Sequence, residues 1–220
     1  NSFPYDKSYN LFLTKLKKKI KKVKSKYVML LPNDDFINKK FLLKNLNNLR
    51  SDYILCGTNI DFKINNFFRY KNDYGEIKKV KSKKKSYNIN LRKHNKAKRI
   101  KHIKYFNPWE CIYPKKVLES VINESLKFRA KNHYEFMWFF KFLPLYLTRC
   151  IYIKEPLIAR QVNTYSSEGD TLKEEKNFSS EIRAKQFKKF IFQKIKNKEL
   201  FKIINEINLE TSPKFSLSRK

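Results

Sequence analysis

The feature that most limits what this chain can fold into is Tyr27-Val28-Met29-Leu30-Leu31, an unbroken apolar run closed by Pro32 and followed by Asn33, Asp34 and Asp35. Continuous rather than alternating apolarity predicts a strand covered on both faces, as in a parallel sheet. Proline cannot donate to a strand ladder and so ends the run. A helix is expected next, from about 38 to 50, with Phe41, Leu42, Leu46 and Leu49 on one side. Then comes a second short buried-type strand, Tyr53-Ile54-Leu55-Cys56-Gly57. Strand, helix and strand in about thirty residues is the signature of a βαβ unit.

The flanking segments fit one α/β domain. Residues 6–24 read as a helix, with Phe12, Leu16, Ile20 and Val23 at three- and four-residue spacing and lysines on the other face. Such a basic amphipathic helix can lie on a membrane, but its narrow apolar stripe suits packing against a sheet. Edge strands are expected around 60–64 and 67–70. Residues 76–104 are lysine-dense and aperiodic, which predicts an exposed loop or irregular hairpin. Apolar character returns at 105–113, and Pro114 suits the first position of a helix running to about Leu126. An aromatic helix from His133 to Phe142 is expected to stop at Pro144, and Cys150 to Lys154 to form a last strand. Residues 178–208 read as one long amphipathic helix with Ile182, Phe187, Phe190, Ile191 and Ile195 on one face. The expected organisation is an α/β domain over residues 1–175 and a helical tail over 176–220.

Composition narrows the partners. The chain has 220 residues, 41% of them hydrophobic, enough for one core. No apolar run approaches the roughly eighteen residues of a membrane span, and no secretory leader pattern opens the chain. Cys56, Cys111 and Cys150 are widely spaced in apolar contexts and read as reduced core thiols, so the expected compartment is the cytoplasm, with the inner face of the membrane as an alternative place within it. A zinc site lacks its paired ligands. The net charge of +31 is dominated by lysine and reads mainly as a solvated surface. What remains of it suits an anionic partner: a nucleotide diphosphate, an anionic membrane leaflet or nucleic acid. Nucleic acid is disfavoured, because the lysine-rich stretch has few aromatics for stacking and no recognised motif.

In so basic a chain, adjacent acids at a strand end stand out. Ligands of open α/β sheets bind beyond the carboxyl ends of strands. Two carboxylates there repel each other unless a cation or several N–H donors sit between them. Mg²⁺ or Mn²⁺ meets that need, taking hard oxygen ligands from Asp34 and Asp35 and the rest from substrate phosphates. The plainer alternative is that Asn33, Asp34 and Asp35 form a turn or cap the next helix.

The segment Y-V-M-L-L-P-N-D-D-F resembles the strand and acidic motif of family-two glycosyltransferases of the GT-A fold, in which an apolar strand ends in a D-x-D or D-D-D cluster. Here Pro32 and Asn33 stand at places often acidic in that family. The order downstream is similar over residues 10–165: a helix, Y-I-L-C-G, an aromatic P-W-E-C-I-Y segment, a helix carrying an acid, and P-L-I-A-R. The resemblance implies a GT-A-like, Rossmann-related mixed sheet flanked by helices. It also implies metal-assisted transfer of a sugar from a nucleotide-sugar donor to a glycan or lipid-linked acceptor, in surface polysaccharide assembly. The strand and loop by which that family grips the nucleotide base are not recognisable before Asp6, which implies a truncated or divergent member.

By the same resemblance Asp34 and Asp35 hold the metal, and Asn33 and Arg160 face the donor diphosphate. Trp109 and Glu110 line the acceptor side. Glu135 takes the acceptor proton, its pKa raised by Phe136, Trp138 and Phe139. Residue chemistry alone leaves plainer readings open: a core Trp109, an exposed helical Glu135, a structural His133 and a loop Asp61. Two other functions stay in view, a non-catalytic basic binding module for nucleic acid or anionic membrane, and a transferase-like scaffold without donor binding.

Overall fold

The structure, a computed structural model, describes residues 8–31, 35–49, 53–64, 77–80, 95–101, 103, 106–161, 181–195, 198–207 and 209. It is a mixed α/β fold. In chain order the elements are α1 (Tyr9–Lys22), β1 (Tyr27–Val28), β2 (Asp35–Ile37), α2 (Lys39–Asn45), β3 (Tyr53–Ile64), β4 (Ile77–Val80) and α3 (Lys96–Lys101). Then follow β5 (Cys111–Pro114), α4 (Lys115–Phe128), α5 (His133–Leu147), β6 (Arg149–Gln161), α6 (Glu181–Ile195) and α7 (Lys198–Glu206). The sheet order is β1-β5-β3-β6-β2, with β4 added to β3.

β3 and β6 pair in parallel, while β5 is antiparallel to both β1 and β3, and β2 is antiparallel to β6. Hence β1, β3 and β6 run in one direction. The βαβ unit expected from the sequence exists in split form, with β5 inserted between its two strands. The expectation of a parallel neighbour for residues 27–31 is corrected: β1 lies at the edge, only Tyr27 and Val28 are in the ladder, and their partners Pro114 and Tyr113 are antiparallel. The run is nevertheless covered on both sides, because Val28 and Leu30 pack on one core and Tyr27 and Met29 on the other.

Period-two alternation divides the sheet's side chains between two cores. Ile54, Cys56, Cys111, Tyr113 and Cys150 face the larger helical layer, built from α1 and α3 to α7. Leu55, Ile112 and Ile151 face Phe41 of α2, joined by the consecutive Leu157 and Ile158, where the β3–β6 register slips and breaks the alternation. Asn38 fixes α2 to the sheet: its Oδ1 accepts from Phe41 N at 3.3 Å, and its Nδ2 donates to Pro156 O at 2.7 Å. In α1 the buried stripe is Leu13 and Ile20, flanked by Tyr9 and Leu16. Phe12 and Val23, expected inside, are 41% and 37% exposed.

Three further expectations are corrected. First, α5 does not stop at Pro144 but runs to Leu147. A proline inside a helix costs about 3 kcal/mol, whereas each fully buried Phe or Leu contributes roughly 1.5–3 kcal/mol. Phe140, Phe142, Leu143 and Leu145 are all buried around it, so burial wins. Second, the lysine-dense stretch holds a strand and a helix. β4 pairs with β3, and α3 buries Ala97, Arg99 and Ile100. The Arg99 Nε donates to Leu145 O at 2.8 Å and its Nη2 to Tyr146 O at 3.3 Å, satisfying carbonyls at the end of α5 where a cation is favoured. Third, the C-terminal helix is two helices, and Phe187, Ile191, Leu200, Ile203 and Ile204 belong to the main core. Ile182 lies outside that face, 67% exposed. The expected last strand is also longer, continuing from Arg149 to Gln161.

The expected strand at 67–70 lies outside the described residues. Among the described residues, no helix is long and apolar enough to cross a membrane.

Candidate functional site

Because β1, β3 and β6 run together, their carboxyl sides open toward one rim, and antiparallel β5 begins there. This is the place where α/β sheets hold ligands. Residues 107–110 shape the rim. Asn107 Oδ1 accepts from Trp109 N at 3.3 Å, and Asn107 Nδ2 donates to Glu110 Oε1 at 2.6 Å. The Tyr113 hydroxyl donates to Pro108 O at 2.5 Å, closing the turn onto the core. Proline opens this short 3-10 turn, where its missing N–H costs nothing.

Trp109 is half-buried and held from two sides. Phe140 meets it edge-on at 5.3 Å, and His133 stacks on it at 5.8 Å with the planes 7° from parallel. His133 opens α5, whose N-cap is Asn132: its Oδ1 accepts from Glu135 N at 3.0 Å. The amino end of α5 therefore reaches the rim beside Trp109. Burial, then the field of Lys141, lowers the His133 pKa from 6.5. Burial, followed by the charge of Glu110, pushes Tyr152 of β6 up to about 12, so Glu110 acts electrostatically on the sheet beneath it.

Beneath the rim sit three free, buried thiols on adjacent strands, as the sequence suggested. Cys56 and Cys111 are register partners, and the Cys111 thiol donates to the Cys56 Sγ at 3.0 Å. Burial raises both pKa values, so the thiols stay protonated.

A second group forms farther along the sheet. Asp35 is the register partner of Arg160 across β2 and β6, and Arg160 is also the partner of Asp61 across β6 and β3. Asp35, expected just beyond the first strand, is itself the first residue of an edge strand. Its partners at Phe36 and Ile37 are Ala159 and Ile158. Pro32, Asn33 and Asp34 lie outside the described residues. Among the described residues no cluster of three or more His, Cys, Asp or Glu side chains could hold a metal. The carboxylate of Asp35 is a hard oxygen donor of the type Mg²⁺ or Mn²⁺ takes, and such ions need only one or two protein carboxylates alongside substrate phosphates.

Glu135 does not meet the apolar surroundings expected of it. It is 1% exposed and gripped by Arg183, which donates from Nη2 to Oε2 at 2.6 Å and from Nε to Oε1 at 2.9 Å. Lys131 N also donates to its Oε2 at 3.0 Å. The side chain thus completes a capping arrangement with Asn132 and faces α6 rather than Trp109. Sequence reasoning missed Arg183, whose only signal is one arginine among the lysines of α6. It also missed Asn107, which organises the rim through an Asn-Pro turn.

No protein-family model matches this chain, and no curated protein matches it significantly.

Proposed function

We propose that the chain is a nucleotide-sugar-dependent glycosyltransferase of GT-A-like fold, moving a sugar to a glycan or lipid-linked acceptor. The observation that carries the reading is the shared rim. β1, the strand that precedes Asn33-Asp34-Asp35 in sequence, pairs antiparallel with β5, and Trp109 and Glu110 stand just before β5, so the carboxyl end of β1 lies on the side of the sheet where an aromatic and an acid stand. The backbone register pairing of Asp35 with Arg160 adds support, because a carboxylate and a guanidinium are the residue types that suit a metal-bound diphosphate.

In this reading Asp34 and Asp35 would hold Mg²⁺ or Mn²⁺, and the bound ion would supply neutralisation of the departing nucleoside diphosphate. Asn33 and Arg160 would contact the diphosphate. Trp109 would offer an indole surface to the acceptor sugar, with Glu110, fixed by Asn107, accepting a hydrogen bond from one of its hydroxyls. Transfer then depends on in-line placement of donor and acceptor.

The test is donor turnover. Asp35→Ala should lower release of nucleoside diphosphate from the preferred sugar nucleotide by about 10²-fold or more, with an unchanged circular dichroism spectrum. Wild-type rates in that variant would remove Asp35 from the site.

A further inference from the structure

His133 and Glu135 are two residues apart on α5, a spacing that sends side chains to different sides of a helix. Glu135 turns to Arg183, while His133 lies against Trp109. The imidazole therefore has a fixed plane at the rim and remains partly exposed, whereas the carboxylate is buried and has its oxygens occupied. We propose that His133 is the general base of the reaction, taking the proton of the acceptor hydroxyl as the new glycosidic bond forms. This rests on the transferase reading above and moves the base from Glu135 to the group that the rim presents.

The step balances without another reactant. The acceptor O–H bond breaks, its proton goes to an imidazole nitrogen, and its electron pair forms the bond to the donor's anomeric carbon. The anomeric C–O bond breaks and its pair leaves with the nucleoside diphosphate. A base must be unprotonated to begin, and the surroundings of His133 favour that. Partial burial and Lys141 on the same helix both disfavour the imidazolium. The helix amino end, with its partial positive charge, acts in the same sense. From the turn at 108–110 the neutral indole of Trp109 stacks on the ring, and on α5 itself the adjacent Tyr134 ring meets it edge-on at 6.2 Å. Glu110 is the adjoining acid of the rim, next to Trp109. Rate should therefore hold at neutral pH and fall only as pH drops through a value below the 6.5 of free imidazole.

The test begins with calorimetry of the wild type with Mn²⁺ and UDP-glucose, UDP-N-acetylglucosamine, GDP-mannose or dTDP-glucose. Turnover of whichever donor binds is then followed over roughly pH 5 to 9 in wild type, His133→Asn, His133→Gln and His133→Ala, each checked for folding by circular dichroism. Expected is a fall in kcat of about 10²- to 10⁴-fold, with the donor Kd within about twofold. The acid limb should disappear, and added imidazole should partly rescue His133→Ala. A kcat within about threefold of wild type, or a persisting acid limb, overturns the assignment while leaving the transferase reading intact. If no sugar nucleotide binds, or the wild type binds one without turning it over, both readings fall.

Discussion

Arg183 of α6 holds Glu135 of α5 with both arms of its guanidinium, at 2.6 and 2.9 Å, and so locks the C-terminal helices onto the amino end of α5. The same guanidinium lies over the Phe128 ring at 4.2 Å and donates to Arg129 O at 3.2 Å. Hydrogen bonding to Glu135 raises the Arg183 pKa, so the guanidinium stays charged. Removing one partner strands a carboxylate in a nearly closed site. Arg183→Ala should cost about 2–4 kcal/mol of stability, read from urea unfolding. Arg183→Lys should recover part of that loss, having the charge without the fork. A loss below about 0.5 kcal/mol would show that the pair is dispensable.

Gly57 is the one described glycine. It sits where β3 and β6 slip register, between the pairs Cys56–Tyr152 and Thr58–Pro156. A Cβ there would collide with the Leu157 Cβ and lie 3.1 Å from Glu155 O. Neither neighbour can give way cheaply, since one is the root of a fully buried side chain and the other is backbone. Gly57→Ala should destabilise by about 1–3 kcal/mol despite alanine's smaller loss of chain entropy. An unchanged thermal midpoint would contradict the tight approach of the two strands.

The three thiols offer a probe of the core. Thiolate is the reactive form, and burial lifts the pKa of Cys56 and Cys111, while Cys150 is raised first by its hydrogen bond with Cys56. Raised pKa values leave thiolate scarce below the thiol pKa, and all three groups are closed to solvent. At about pH 8 the native protein should react with a disulfide reagent such as dithionitrobenzoate only as fast as it opens. In denaturant all three thiols should react promptly. Rapid labelling of one thiol in the native state would contradict this picture.

Much of the architecture could be read from residue patterns, and the failures have physical causes. The strand at Tyr53, the aromatic helix and the thiol environments follow from local apolarity, which burial rewards wherever the chain goes. The edge position of β1 does not, because an unbroken apolar run looks the same whether its neighbours are parallel strands or a single antiparallel strand. Pro144 misled for the opposite reason: tertiary burial around it outweighs a local cost. The helix at 96–101 was hidden because its anchor, Arg99, looks like one more solvated cation until the α5 carbonyls are in place. At the candidate site, the approach of Trp109 to the start of α5 depends on a contact between residues 24 apart in sequence. No spacing rule reports such a contact. The periodicity of α5 also could not show that Glu135 faces Arg183 while His133 faces the rim.

The most direct measurement is isothermal titration of the wild-type chain with UDP-, GDP- and dTDP-sugars in the presence and absence of Mn²⁺, with Asp34→Ala and Asp35→Ala alongside. Expected is saturable binding of one donor class with a Kd of roughly 1 μM to 1 mM, dependent on the metal and lost in both variants. Absence of binding to every donor would contradict the central claim and leave a transferase-like scaffold. Metal-independent binding that vanishes with added salt would instead mark a generic polycation.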